Sequence, residues 1–168
     1  IVVDEKVARP TLIGRPAIIA QRIEKFGLRL KEGVDYDVVN TDFDHRYNDF
    51  WQTYHRMTER KGITQQVAKI EMRRRLTLIG AMMLHKGEVD GLICGTWGTT
   101  ANHLLYIDQV IGKRDGAPVY ACMNGLLLPE RQLFLVDTHV NYDPGAEALA
   151  DITTMAAKEM LRFGIHPK

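Results

Sequence analysis

Apolar and polar positions along this chain fall into short strand-like runs separated by longer stretches with helical spacing. The first run is Thr11–Ile13. Gly14-Arg15-Pro16 then opens a helix, because proline suits a first turn. Ile19, Ile23 and Phe26 share one face of it, and Gly27 is a natural stop. Tyr36–Val39 reads as a second strand. Asp42 or Asp44 caps the next helix, in which Tyr47, Phe50, Trp51, Tyr54 and Met57 form an aromatic stripe of the kind that becomes core or interface. Gly62 breaks the chain, Thr64 caps a helix to about Arg75, and Ile79–Leu84 continues as another helix ending at Gly87. Leu92, Ile93 and Cys94, between Gly91 and Gly95, predict a strand buried on both faces. Val119–Leu128 and Gln132–Val136 predict a hairpin-like excursion around Pro129-Glu130-Arg131. A long helix then runs from Pro144 to about Phe163, with Asp143 as its cap. Strands alternating with helices imply an α/β fold, three layers in αβα order around a mostly parallel sheet.

Two connections in this pattern carry candidate chemistry. The first runs from Gly95 to Asn102. Gly95 and Gly98 let the backbone turn sharply and approach a ligand, and Thr99 or Thr100 caps the helix that carries Leu104, Ile107, Val110 and Ile111. A strand, glycines and a helix start together suit an anion, since free N–H groups and the helix dipole face the loop. The spacing is neither a P-loop nor a dinucleotide fingerprint, and an ordinary strand-to-helix connection looks the same. The second is Asp137-Thr138-His139-Val140-Asn141, at the carboxyl end of a predicted strand, where open α/β sheets bind ligands. Asp137 and Asn141 suit hydroxyl or amide groups of a ligand, or simply the amides of their own loop. The candidate ligand-binding set is therefore Gly95, Thr96, Gly98, Thr99, Thr100, Asp137 and Asn141. Asp137 with His139 offers too few ligands for a metal, and no catalytic triad or carboxylate pair stands out. Arg73, Arg74 and Arg75 suit a helix C-terminus and read as a solvated or partner-facing end rather than a phosphate site.

Composition narrows the class. Lys and Arg number 22 against 21 Asp and Glu, so no general nucleic-acid binder is indicated. The longest apolar run, Leu76–Leu84, is too short to span a bilayer, and no signal peptide is evident. Cys94 and Cys122 both fall in predicted buried strands, which fits a reduced, cytoplasmic setting. The chain opens without a methionine, in what reads as the tail of a helix, and stops at Pro167-Lys168, where another strand could begin. An excerpt of a longer polypeptide is expected.

Several motifs, in order, resemble phosphotransacetylases: Gly87-Glu88-Val89-Asp90-Gly91, the Gly95–Asn102 loop, Asp137–Asn141 with Pro144 and Glu147-Ala148-Leu149-Ala150, and Phe163-Gly164-Ile165-His166-Pro167-Lys168. Ala8–Pro16 and Tyr106–Gly112 are similar to the phosphotransacetylase-like C-terminal domain of large bacterial NADP-dependent malic enzymes. The resemblance covers nearly the whole chain. It implies two α/β subdomains with a cleft, related to isocitrate and isopropylmalate dehydrogenases, with about 1–90 in the first and 91–168 in the second. It also implies a segment without catalytic residues that binds acetyl-CoA as an effector and helps build a homo-oligomer. NADP, a divalent metal and malate oxidation would belong upstream, with no nucleic acid or membrane partner. An active phosphate acetyltransferase and a purely structural oligomerisation domain are the alternatives. Phosphotransacetylases continue their glycine loop as His-Thr-Thr-Ala-Asp-Thr-Val-Arg-Pro, whereas this chain reads Gly98-Thr99-Thr100-Ala101-Asn102-His103-Leu104-Leu105-Tyr106. Leu105 stands where that family has a phosphate-contacting arginine, and a leucine supplies no bidentate cation. The family's catalytic serine segment would follow Lys168.

Overall fold

The computed structural model describes all 168 residues, Ile1–Lys168. The elements are β1 (Thr11–Ile13), α1 (Pro16–Lys25), β2 (Asp37–Val39), α2 (Tyr47–Thr58), a 3-10 turn (Glu59–Lys61), α3 (Gln65–Arg74), α4 (Leu76–His85), α5 (Thr100–Val110), β3 (Met123–Leu128), β4 (Arg131–Val136) and α6 (Ala146–Arg162). The chain divides into two compact units, Ile1–Cys94 with Gln109–Ile111, and Gly95–Asp108 with Gly112–Lys168.

The first unit is built around α4. Residues 77 to 83 of that helix are buried on every side, which is why its sequence shows an apolar run rather than an amphipathic stripe. Gly80 lets Leu92 and Ile13 pack close to the helix: a Cβ at this position would lie 2.6 Å from Leu92 Cδ1 and 3.2 Å from Ile13 Cδ1, so those side chains would have to shift. From α2, Phe50 and Tyr54 enter the same core, and from α3, Ala68 and Met72. The aromatic stripe of α2 is thus split. Phe50 and Tyr54 are core, whereas Trp51 is half-buried, with Lys69 Nζ 4.4 Å from its ring centroid. Tyr47 lies under Arg73 at 4.2 Å and donates its hydroxyl to the Lys69 carbonyl at 3.0 Å. Arg73 thus stacks on an aromatic face while, like Arg74 and Arg75, it stays exposed at the helix end.

The capping expectations divide as well. Thr64 accepts from the Val67 amide at 3.3 Å and starts α3. The N-cap of α2 is Arg46, not Asp42 or Asp44. Asp44 acts one step earlier, accepting the Arg46 amide at 2.9 Å and gripping its guanidinium at 2.6 and 2.8 Å. Arg46 also reaches Glu88 at 2.8 Å. The N-cap of α6 is Gly145 rather than Asp143, and the expected helix tail at the start of the chain is a set of turns.

The sheets differ most from expectation. β1 and β2 pair in parallel, Thr11 with Asp37 through Ile13 with Val39, and β3 and β4 form an antiparallel hairpin. These are two separate two-stranded sheets, so a continuous mostly parallel sheet is not formed. The strand expected at Leu92–Cys94 is absent. A buried strand needs a hydrogen-bonded neighbour and two covered faces. Here Leu92 turns onto α4 while Ile93 is fully exposed. Cys94 is likewise exposed in the loop and Cys122 is half-buried just before β3, so neither thiol lies in a buried strand.

Candidate functional site

The second unit carries both candidate loops. In the first, Gly95 and Gly98 hold φ of 139° and 93°, and Thr96, with a side chain, sits at 62°. The glycines meet a backbone requirement that L side chains rarely satisfy. Thr99 Oγ1 accepts the Asn102 amide at 3.3 Å and so caps α5, while Thr100 is the first residue of the helix. His103, one turn in, reaches back so that its Nε2 lies 2.8 Å from the Trp97 carbonyl. Gly95 through Thr100 are all exposed. One face of α5 carries Leu105, 47% exposed, at the position singled out above.

In the second loop, Asp137 is the organising residue. Its Oδ1 accepts the Cys122 amide at 2.7 Å and its Oδ2 accepts the Asn141 amide at 2.8 Å. Asn141 Nδ2 donates to Asp137 Oδ2 and to the Tyr120 carbonyl, the latter at 2.8 Å. Burial pushes the Asp137 carboxyl up, but the donors from Cys122 and Asn141 outweigh it and hold it below the ordinary carboxylate range. The fixed charge is spent on the loop itself. Residue 139, a histidine, is left-handed at φ 78°.

Tyr120 ties the second loop to the C-terminal part of α5. Its hydroxyl donates to Asp108 Oδ1 on α5 at 2.7 Å, and its carbonyl receives Asn141. Burial, then the bond to Asp108, raises the Tyr120 phenol to about 12, so it stays a neutral donor. Beside it, a cavity of about 220 Å³ is lined by Val119, Tyr120, Cys122, Met123, Ile152 and Met155, among others. Arg114 and Glu159, also part of that lining, pair at 2.9 Å. Sequence reasoning named Asp137 and Asn141 but missed Tyr120, Asp108 and the Cys122 amide. No periodicity marks them, because they meet only through the fold. No group of three or more His, Cys, Asp or Glu converges in a way that could hold a metal ion.

Residues 1–168 match the family model described as phosphate acetyl/butaryl transferase, and the chain belongs to that family. Among curated relatives it is similar to an NADP-dependent malic enzyme of Salmonella typhimurium, 46% identical over 162 residues, which are 96% of this chain and 21% of that protein. It is also similar to a phosphate acetyltransferase of Haemophilus influenzae, 33% identical over 163 residues, 96% of this chain and 22% of that protein. A phosphotransacetylase structure from Streptococcus pyogenes superposes with a TM-score of 0.82 at 22% identity, over 99% of this chain and 50% of that one. That likeness is one of fold. The chain spans about a fifth of the length of these two curated relatives.

Proposed function

We propose that this chain is a regulatory, non-catalytic module of a malic enzyme, binding acetyl-CoA and supporting a homo-oligomer. Position 105 carries the reading. Leu105 presents an alkyl group on α5 where the resemblance to phosphotransacetylases calls for an arginine, and the phosphate that exchanges an acetyl group with coenzyme A calls for that charge. The higher identity to a malic enzyme, 46% against 33% for a phosphate acetyltransferase, points the same way. Acetyl-CoA would lie against the Gly95–Thr100 loop, whose exposed amides and hydroxyls suit its phosphates and carbonyls, and against the loop from Asp137 to Asn141. The oxidation of malate, with NADP and a divalent metal, belongs in this reading to another part of the polypeptide. So does the full three-layer, dehydrogenase-like sheet, which would be completed in a two-subdomain protein divided near residue 90. Two unpaired cysteines fit a reducing cytoplasm, and no helix is long and apolar enough to cross a membrane.

The test uses the intact polypeptide. Malate oxidation is expected to fall as acetyl-CoA rises, and acetyl transfer from acetyl phosphate to coenzyme A is expected to be absent. Turnover of acetyl transfer at about one per second or faster, a typical enzymatic rate, would establish the active-transferase alternative instead.

A further inference from the structure

We propose that the cavity of the second unit binds a small carboxylic acid with an apolar chain, the chain lying among Met123, Ile152 and Met155 and the carboxylate at Arg114 and Lys113. The site is separate from the proposed acetyl-CoA contact: no residue of the Gly95–Thr100 loop or of the loop from Asp137 to Asn141 lines it. Its wall is shared by α6, the hairpin and the connection from Gly112 to Cys122. Ile152 is buried in that wall, whereas Val119, Met123 and Met155 are half-buried, and Lys113 and Arg114 are exposed, so a ligand can reach it from solvent. Such walls disfavour a ligand that is polar throughout. The two methionines have flexible thioether chains that adapt to the shape of an apolar guest. An apolar cavity of about 150 Å³ holds benzene, so the volume of about 220 Å³ here has room for roughly nine non-hydrogen atoms. The charged lining residues are Lys113, Arg114 and Glu159, and they offer more donors than acceptors. Glu159 is shared by Arg114 at 2.9 Å and Arg162 at 3.2 Å, so one carboxylate serves two guanidinium groups. Lys113 Nζ donates at 2.6 Å to the Pro118 carbonyl, an uncharged acceptor. A guanidinium carries five N–H donors and an ammonium three, so most of theirs lie beyond these bonds. The neighbouring carboxylates, Asp108 and Asp137, are engaged by the Tyr120 hydroxyl and by the Cys122 and Asn141 amides. What this lining lacks is an acceptor. A ligand carboxylate supplies one in the charge-assisted, bidentate form that a guanidinium favours, while Arg162 goes on holding Glu159.

The experiment measures binding of straight-chain carboxylates to the intact polypeptide by calorimetry. Each methylene buried adds roughly fourfold in affinity. Affinity is therefore expected to climb from butanoate through hexanoate to octanoate and then to stop, because decanoate outgrows the cavity. Hexanamide, of the same length but uncharged, is expected to bind at least roughly tenfold more weakly than hexanoate. Ala156→Leu puts a larger side chain into the lining and is expected to remove hexanoate binding. Arg114→Gln leaves the cavity in place and is expected to weaken hexanoate binding by roughly tenfold. Should Ala156→Leu fail to fold, the exposed Arg114→Gln change decides the matter. Affinity that keeps rising through decanoate describes a general apolar surface and overturns the proposal. Hexanamide binding as tightly as hexanoate overturns it too. So does hexanoate binding that is unchanged in Arg114→Gln, or that is absent from the wild type at millimolar concentrations. None of these outcomes bears on the acetyl-CoA reading, which stands or falls with acetyl-CoA itself.

Discussion

Asp44 shows how much one residue's surroundings decide. The sequence offers it as a helix cap, one of two equal aspartates. In the fold its side chain is 14% exposed and holds Arg46 through two oxygens, and Arg46 in turn holds Glu88. The hydrogen bonds from the Arg46 guanidinium, opposed by burial, hold its carboxyl below the usual carboxylate range. A depressed folded-state value means a stabilising contribution that is complete above the unfolded value of about 3.9 and is lost as pH falls through the folded value. Asp44→Asn should therefore lower the melting temperature at pH 7, and the gap to wild type should close as pH drops below about 4. Melting curves from pH 7 to pH 2 check this, and a gap that stays constant with pH would show that the charge is not what matters. Gly80 makes the complementary point. Glycine in a helix interior reads as a weakness of about 1 kcal/mol. Only the fold reveals that Leu92 and Ile13 occupy the space a side chain would need.

At the scale of elements, local rules succeeded where the element carries its own explanation. The Thr64 cap, the run of α3, the hairpin and the start of α5 all follow from short-range chemistry. Thr64 satisfies an otherwise free amide at the start of α3. Thr64→Ala should cost about 1 kcal/mol, read as a lower denaturant midpoint with an unchanged slope, while Thr64→Ser should stay close to wild type. Equal stability in the Ala and wild-type proteins would mean that α3 is held by packing alone. The failed element is the strand at Leu92–Cys94. Its three apolar residues matched a buried strand by pattern, but a strand exists only by pairing, and β1 and β2 pair with each other instead.

For the whole molecule, the aromatic stripe of α2 is the feature with most consequence. Phe50 and Tyr54 are 2% and 1% exposed, so they belong to the first unit's own core. Phe50→Ala should cost about 3–5 kcal/mol. Trp51 is different, half-buried and bonded to Asn48 at 3.2 Å under the Lys69 ammonium. Its truncation loses a cation–π contact of about 0.5–1 kcal/mol and part of a ring's burial, so Trp51→Ala should remain folded. On the proposed reading of a regulatory malic-enzyme module, with the half-covered face of Trp51 serving assembly as tryptophans at interfaces do, the mutant should show an altered oligomeric state and weaker inhibition by acetyl-CoA, with near-normal malate oxidation in its absence. Sedimentation and inhibition curves on the intact polypeptide test this, and unchanged assembly together with unchanged inhibition would exclude Trp51 from both roles.

The sequence by itself determined the family, the α/β character, nearly every helix and the positions of both candidate loops. These rest on motif order, on 3.6-residue periodicity and on capping residues, all of which act within a few residues of one another. Tertiary structure alone decided which aromatic rings are core, that Ile93 and Cys94 are exposed, and that Asp137 is spent within its own loop. It alone joined Tyr120 to Asp108 and left Thr138 Oγ1 without a partner. Burial, strand pairing and hydrogen-bond satisfaction depend on groups distant in the chain. The Tyr120 hydroxyl finds a carboxylate 12 residues away, and the Cys122 amide one 15 residues away. No local pattern encodes such a meeting, because it exists only once the chain has closed on itself.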